Sequence, residues 1–239
     1  MNIIKSVTVL ALCLSCGHLS AQDSTFKLGI RLGGGMSVTT GLDKILVPED
    51  YYSNYNFKDK WQFTPTVGVF AQYHVDGSII GVEGGFSYWQ KASQLVYNDN
   101  KELNYKVTPR YNYIGVSALL KIYPWRKGFN ISIGGRAGAN LNGKGISYES
   151  NQEDSKFANY HFATVAETER LMKEKLTGQP DIAVGGGFGY EIGNHWALDL
   201  RYFHGLNSTI KTERNDYNWA EHSTHGQNIE LSISYLFKL

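Results

Sequence analysis

The sequence is poor in cysteine, in net charge and in long apolar runs. Its two cysteines, Cys13 and Cys16, lie in the first 21 residues, so a chain cleaved there would lack disulfide bonds, thiolate metal sites and cysteine catalysis. An acylated Cys16 would make the chain a lipoprotein, but the residues before it form a poor lipobox. The formal net charge is +1, and no basic run indicates a nucleic-acid partner. After the N-terminal segment, no apolar run reaches the roughly 18 residues of a transmembrane helix.

Residues 1–21 are predicted to form a secretory signal peptide. A positive charge at Lys5 precedes a short apolar stretch and a small-residue segment that ends at Ala21. We expect cleavage between Ala21 and Gln22. The remaining residues, 22–239, show no internal boundary and are predicted to form one domain.

Apolar and polar residues alternate with a period of two in eight segments. In the last of them one face consists of Ile229, Leu231, Ile233, Tyr235, Phe237 and Leu239. Because successive side chains of a strand point to opposite faces, each segment is predicted to be a strand with one apolar face. Short turns, such as Asp76-Gly77, alternate along the chain with long polar segments. We interpret the long segments as loops over about 40–62, 95–110, 143–180 and 207–224.

An even number of strands, joined alternately by short turns and long loops, is typical of bacterial outer-membrane barrels. We therefore predict an all-β fold, an eight-stranded antiparallel transmembrane β-barrel in the outer membrane. The long loops would be extracellular, and the short turns and both termini periplasmic. The apolar final strand favours closure, because a soluble domain that ended on such an edge would template aggregation.

The polar faces of the predicted strands carry charges of both signs. An eight-stranded lumen is just wide enough to be filled by side chains, and charges buried there must pair. We predict an interior charge network of Glu83, Lys121, Arg136, Glu191, Asp199 and Arg201, on faces that also hold Lys27, Arg31 and Glu230. Structural pairing is one interpretation of this network, and a narrow path for ions or water is the other.

Aromatic residues of the apolar faces cluster toward the strand ends. Girdles at the two lipid–water interfaces are expected from Tyr73, Tyr88, Phe129, Tyr190, Trp196, Tyr202, Tyr235 and Phe237. The alternative fold is a soluble lipocalin-like barrel with its apolar faces turned inward. The mixed charges argue against it, because they suit an interior network better than a solvated exterior.

Four segments carry a family resemblance, together with the N-terminal signal. They are the Tyr111–Lys121 strand, the glycine-rich Val184–Tyr190 strand, the Arg201–Asn207 stretch and the Tyr235-Leu236-Phe237 ending. The chain resembles PorT-like outer-membrane β-barrel proteins, often called a porin family, on an OmpA/OmpX-type barrel. The resemblance covers nearly all of the chain after the signal but rests on barrel patterning. It therefore implies fold and location more firmly than activity, and it points to secretion or gliding machinery.

One histidine raises the question of enzyme activity. The Tyr202–Ser208 stretch faintly resembles lipid A deacylase barrels of the PagL type, which have a lipid-facing histidine and a serine two positions on. His204 lies on the predicted outward face, but Leu206 occupies the serine position and Ser208 is out of register. Acyl transfer needs a nucleophile and a base within hydrogen-bond reach, so no catalytic residue is predicted.

The third long loop contains a predicted helix. Thr164 and Glu167 have capping-box spacing, and apolar residues recur at helical spacing from Val165 to Leu176 before Gly178. We expect a short amphipathic helix over the extracellular mouth. It would either cap its own barrel or bind a partner.

The leading functional hypothesis is a non-enzymatic outer-membrane barrel with loops that serve binding or the assembly of an envelope complex. Expected partners are outer-membrane lipid and lipopolysaccharide, the barrel-assembly machinery during insertion, and an envelope protein, with no nucleic acid. The alternatives are a narrow porin or channel and, more remotely, a PagL-like deacylase. No cofactor and no metal site is predicted, because His222 and His225 have no evident third ligand.

Overall fold

The computed structural model describes residues 24–46, 57–75, 77–98, 104–125, 128–151, 164–193, 195–212 and 223–238. The predicted signal peptide, with its cleavage site between Ala21 and Gln22, lies outside these residues. Within them no helix is long and apolar enough to cross a membrane. The two helices are α1 (Leu42–Leu46) and α2 (Val165–Lys175).

Eleven strands make up most of the described chain. They are β1 (Ser24–Thr40), β2 (Phe57–Val75), β3 (Ile80–Asn98), β4 (Asn104–Ile122), β5 (Phe129–Asn140), β6 (Ile146–Ser150), β7 (Leu176–Gly178), β8 (Asp181–Ile192), β9 (Trp196–Gly205), β10 (Ile210–Thr212) and β11 (His225–Lys238). Eight of them close into an antiparallel ring in the order β1, β2, β3, β4, β5, β8, β9 and β11, with β11 paired to β1. The all-β class and the eight-stranded barrel are therefore confirmed.

The register of the ring shows how steeply the strands are inclined. When the paired residues are followed once around the ring from Leu28 of β1, the path returns to β1 at Val38, ten residues farther along the strand. A barrel with such a stagger needs strands tilted by roughly 35–45° from its axis. The first and last described residues, Ser24 and Lys238, lie at the same end of the barrel as the three short turns, and we call this the short-turn end. The opposite end is the long-loop end.

The predicted extents of the long loops are wrong. The segment 95–110 belongs mostly to β3 and β4, which continue past the barrel as a long hairpin with Leu95 and Val107 buried. The other segments likewise contain structure: α1 and the start of β2, then β6, α2 and β7, then β10. The alternation weakens here because the outward face of these extensions lies above the apolar belt and carries polar residues.

An apolar belt surrounds the barrel. On β3, β4 and β11 the outward apolar rows run over Ile80–Tyr88, Ile114–Ile122 and Ile229–Phe237, nine residues each. A transmembrane strand needs about 9–11 residues to cross the hydrocarbon core. The inward faces of the same strands are mostly polar and buried, so the lipocalin-like alternative, with apolar faces inside, is wrong.

A charge placed at mid-belt tests this assignment. Leu231, 59% exposed, lies in the middle of the apolar row of β11. We expect Leu231→Arg to lower the free energy of unfolding by about 2–4 kcal/mol in phospholipid vesicles, because the cation would lie at the bilayer midplane. Leu206→Arg, beyond the end of β9, is the matched control and should cost about 0–1 kcal/mol. Equal losses in urea titrations would contradict the belt.

Candidate functional site

Inward glycines allow aromatic rings to lie flat against the barrel wall. A Cβ added at Gly29 would meet the Phe70 ring at 2.3 Å, and one at Gly138 would meet the Trp89 ring at 2.4 Å. The rings therefore fit only because these two positions carry no side chain. Such glycine positions let barrels curve while aromatic neighbours cover the exposed backbone.

Two arginines stack on these rings. The Arg31 guanidinium lies 4.2 Å from the centre of the Phe70 ring. The Arg136 guanidinium lies between Trp89 and Phe203, at 4.7 and 4.2 Å from the two ring centres. Stacking on an aromatic face attracts the cation and fixes the plane of its donors. Each arginine is therefore held in an orientation that suits a carboxylate across the lumen.

Glu83 is the centre of the larger ionic cluster. It accepts two hydrogen bonds of 3.0 Å from the two Nη atoms of Arg201 and one of 2.9 Å from Arg31. It also forms an ion pair of 3.0 Å with Lys121. Asp199 adds a second acidic group, 3.2 Å from Arg201 and 3.5 Å from Arg31. The bidentate arginine contact is the strongest pairing geometry available to a carboxylate.

A third carboxylate, Glu191, lies in the lumen toward the short-turn end. It accepts from Lys27 at 2.8 Å, from Gln72 at 2.6 Å and from the Tyr123 hydroxyl at 2.7 Å. Gln72 also accepts from Lys121 at 2.9 Å, which joins this group to the Glu83 cluster. The two groups thus form one continuous network.

A smaller cluster lies toward the long-loop end. Asp181 accepts from Lys91 at 2.6 Å and from the Trp89 indole N–H at 3.0 Å. Arg136 donates to Glu230 at 2.7 Å and lies 3.4 Å from Asp181. The structure therefore joins five residues of the predicted network around Glu83 and Glu191, and places the sixth, Arg136, in this smaller cluster. Lys91 was missed because the apolar alternation of β3 breaks at Gln90, although the inward row continues unchanged. Asp181 was missed because it is the first residue of β8 and directly follows the predicted loop.

The lumen is filled and nearly neutral. Its ion pairs join six basic side chains to five acidic ones. Pairing of this kind offsets the large desolvation penalty of each ion. The arrangement braces the barrel across its axis.

The predicted girdle residues all lie on the outward face. Six lie near the short-turn end: Tyr73, Phe129, Tyr190, Trp196, Tyr235 and Phe237. Tyr88 and Tyr202 lie toward the other end of the belt. Among the described residues, six further exposed aromatics were not part of the predicted girdles: Phe26, Trp61, Phe63, Phe86, Trp125 and Phe188, with Trp125 71% exposed.

An apolar roof covers the long-loop end of the lumen. It is one cluster of buried side chains contributed by α1, the extensions of β3 and β4, β6, α2, β7 and β10: Leu42, Ile45, Trp89, Leu95, Val107, Tyr111, Tyr113, Ile146, Tyr148, Met172, Leu176 and Ile210. The four long connections therefore pack into a single small core above the ionic lumen. Helix α1 was not predicted.

Helix α2 sits on this core as the sequence predicts. Thr164 and Glu167 form the capping box, with each side chain bonded to the other residue's backbone N–H. Met172 is buried in the roof, and Glu169 accepts from the Tyr148 backbone N–H of β6 at 3.1 Å. Glu169 also pairs with Lys173 one turn along the helix. The helix therefore covers the otherwise exposed edge of β6.

The last two long connections are tied by a two-stranded sheet. Strand β7 pairs with β10 from Leu176 to Gly178, and the Ile210 backbone N–H donates to the Thr224 hydroxyl at 3.0 Å. The Ser208 hydroxyl takes part in the same network, where it donates to the Ile210 carbonyl at 2.9 Å.

The histidine that suggested enzyme activity lies beside another histidine. The His204 and His225 rings stack with their centres 5.8 Å apart, on neighbouring strands at the long-loop end. Ser208 is bonded elsewhere, as described above. Among the described residues no cluster of three or more histidine, cysteine or acidic side chains is suited to a metal, and His222 lies outside them.

Comparison with known proteins identifies the family. The model of the outer membrane protein beta-barrel domain matches residues 9–237. The chain belongs to this family. It is therefore an outer-membrane β-barrel protein, and its inward charges and outward belt are those of a membrane barrel. No curated protein matches the chain significantly.

Solved structures of small outer-membrane barrels are similar over most of their length. Neisserial surface protein A is 10% identical, with 90% of this chain and 99% of that chain covered and a TM-score of 0.40. Ail of Yersinia pestis is 12% identical, with 89% and 99% covered and a TM-score of 0.37. OprG of Pseudomonas aeruginosa is 15% identical, with 92% and 100% covered and a TM-score of 0.37. At such scores these likenesses say nothing about activity.

Removing the central carboxylate of this outer-membrane barrel should destabilise it strongly. We expect Glu83→Gln to lower the free energy of unfolding by about 3–5 kcal/mol, because Arg31, Lys121 and Arg201 would lose their shared buried anion. Glu149→Gln removes the same charge from an exposed pair with Lys106 and should cost about 0–1 kcal/mol. Urea titration in phospholipid vesicles measures both. Similar small losses would show that the network is not structural.

The docking of α2 should weaken in acid. Hydrogen bonds from Lys173 and from the Tyr148 backbone lower the pKa of Glu169 below its usual value. Its contribution to stability is therefore fully present above the ordinary glutamate pKa of about 4.3 and is lost as the pH falls through the lower folded value. Peroxide oxidation of Met172, followed by peptide mass spectrometry, should accelerate below about pH 4.

A variant supplies the control for this pH dependence. Glu169→Gln should speed oxidation of Met172 at pH 7 and flatten its pH dependence, while exposed Met36 on the belt should respond to neither change. A wild-type rate that stays constant from pH 7 to pH 3 would contradict the role of Glu169.

Proposed function

We propose that this protein is a closed, non-enzymatic outer-membrane barrel whose roofed end serves as a rigid surface for binding or for assembly of an envelope complex. The observation that carries the proposal is the roof. Four long connections share one apolar core, so the surface they present is organised before any partner arrives. Such preorganisation reduces the conformational entropy that binding would otherwise cost.

The proposal places the long-loop end outside the cell. Bacterial outer-membrane barrels have short periplasmic turns and longer extracellular loops, and this chain has the same asymmetry. Both termini would then be periplasmic. The resemblance to PorT-like proteins supports an accessory role in secretion or gliding machinery, and helix α2 exposes Arg170 and Glu174 at this end.

The absence of enzyme activity is part of the proposal. The remote alternative, a lipid A deacylase, needs a nucleophile beside His204. The ring that stacks on His204 is another histidine, and Ser208 donates to a backbone carbonyl. Both observations support a structural role for this stretch of β9.

A closed lumen predicts the absence of conductance. Purified protein in planar bilayers should show no steps above background, because paired side chains fill the barrel and the roof covers it. Replacing Val165–Lys175 with a glycine–serine linker should leave the bilayer silent, since the ionic clusters remain. A porin in the same bilayers is the positive control. Steady single-channel steps from the wild-type protein would favour the narrow-channel alternative.

Site-specific crosslinking tests the binding surface. A photoreactive residue at Arg170, exposed on α2, should capture a protein of the envelope in intact cells. The same residue at Leu231 on the lipid-facing belt is the control and should not. Deleting Val165–Lys175 should abolish capture at a second roof position, Lys211, without changing the temperature at which the folded band shifts on a gel. No adduct at either roof position would overturn the proposal.

A further inference from the structure

The extensions of β2, β3 and β4, together with β6, form a small sheet above the belt. We call this the rim sheet: residues 57–61, 92–98, 104–110 and 146–150. Its inward face packs into the roof, where Leu95 and Val107 are buried. Its outward face continues the lipid-facing side of the barrel upward from the belt.

A β-bulge decides which side chains of β2 face outward. Trp61 pairs with Ser93 and Thr66 with Trp89, so β2 has one residue more than β3 in this interval. The extra residue reverses the alternation of β2 above it. Lys58 and Lys60 therefore pair with Val96 and Gln94 and share their outward face.

The outward face of the rim sheet is basic. Lys58, Lys60, Lys106 and Arg110 are exposed on it, and its acidic side chain within the described residues is Glu149, 3.5 Å from Lys106. Four cations against one anion contrast with the lumen, where charges nearly balance. The net positive charge suits an anionic partner.

Hydrogen bonds connect this face directly to the belt. The Tyr88 hydroxyl, at the upper edge of the belt, donates to Asn112 at 2.9 Å. Gln90 donates to the same oxygen at 2.8 Å, and Arg110 donates to Gln90 at 2.8 Å. The ladder fixes Arg110 beside the lipid surface, so whatever adjoins this side of the belt also meets the basic face.

The height of the basic residues above the apolar belt indicates which kind of lipid headgroup they can reach. Along β4, Arg110 lies four residues beyond Ile114, the last apolar residue of its row, and Lys106 lies eight beyond it. At about 3.3 Å per residue and a tilt of roughly 40°, these positions are about 10 and 20 Å above the belt. A phospholipid headgroup layer is only about 5–8 Å thick. Arg110 can reach such a headgroup, whereas Lys106, and Lys58 in the same row of paired residues, need a much larger one.

We propose that the outward face of the rim sheet binds the phosphate-bearing sugar headgroup of a large glycolipid, of the lipopolysaccharide class, in the adjoining leaflet. Arg110 contacts the phosphates nearest the acyl chains, and Lys58, Lys60 and Lys106 contact anionic groups farther out. The inference rests on the proposed outward orientation of the long-loop end. It is independent of any protein bound at α2.

Lipid retention measures this binding. The full-length protein is placed in nanodiscs of phosphatidylcholine containing either lipopolysaccharide or phosphatidylglycerol, and the lipids that stay bound after detergent extraction are counted by native mass spectrometry. The combined change Lys58→Gln, Lys60→Gln and Lys106→Gln should lower retained lipopolysaccharide roughly tenfold, while phosphatidylglycerol is unaffected. Arg110→Gln should lower retention of both. Rising salt should weaken retention by the wild-type protein.

A matched control keeps the test specific to this face. Arg170→Gln, Lys175→Gln and Lys211→Gln remove three positive charges from the roof instead, and should leave retention unchanged. Each variant is first checked for its heat-dependent shift on a gel, so a folding defect is not mistaken for lost binding. Equal losses in the control, or retention of phosphatidylglycerol as strong as that of lipopolysaccharide, would overturn the inference. Loss of crosslinking at α2 with retention intact would instead refute only the binding surface.

Discussion

The structure depends on one constraint: ions enclosed in a narrow polar lumen must be paired. Glu83 satisfies this for three cations at once, so its removal would leave Arg31, Lys121 and Arg201 without their shared anion. The pairs also join strands that are not neighbours in the ring. Lys27 of β1 reaches Glu191 of β8, and Arg136 of β5 reaches Glu230 of β11. The ions therefore act as cross-braces that backbone pairing between adjacent strands cannot provide.

Glycine makes this bracing geometrically possible. Because Gly29 and Gly138 have no side chain, the Phe70 and Trp89 rings lie flat against the strands. The two rings in turn orient Arg31 and Arg136. Each contact therefore depends on the one before it: the glycine makes room for the ring, the ring orients the arginine, and the arginine pairs with the carboxylate. A bulkier residue at either glycine would displace the ring first and the ion pair second.

The sequence was informative wherever one face of a strand meets lipid. The period-two rows of β8, β9 and β11 predicted their faces and the ring, and local capping chemistry at Thr164 and Glu167 predicted α2. Prediction failed above the belt. A polar outward face on one side and a small core on the other leave no clean alternation around Leu95 and Val107, and the partners of α1 are distant in sequence. The pairing of Lys91 with Asp181 depends on register, which a single strand does not reveal.

The roof also has a consequence for biogenesis. Leu42 follows the first strand of the ring and Ile210 precedes the last, yet both belong to the same buried cluster. That cluster can be complete only after β11 has paired with β1, because the two residues are brought together by ring closure. Its burial is therefore a late event in the maturation of the protein. A chain whose ring has not closed would therefore leave these apolar side chains exposed to solvent.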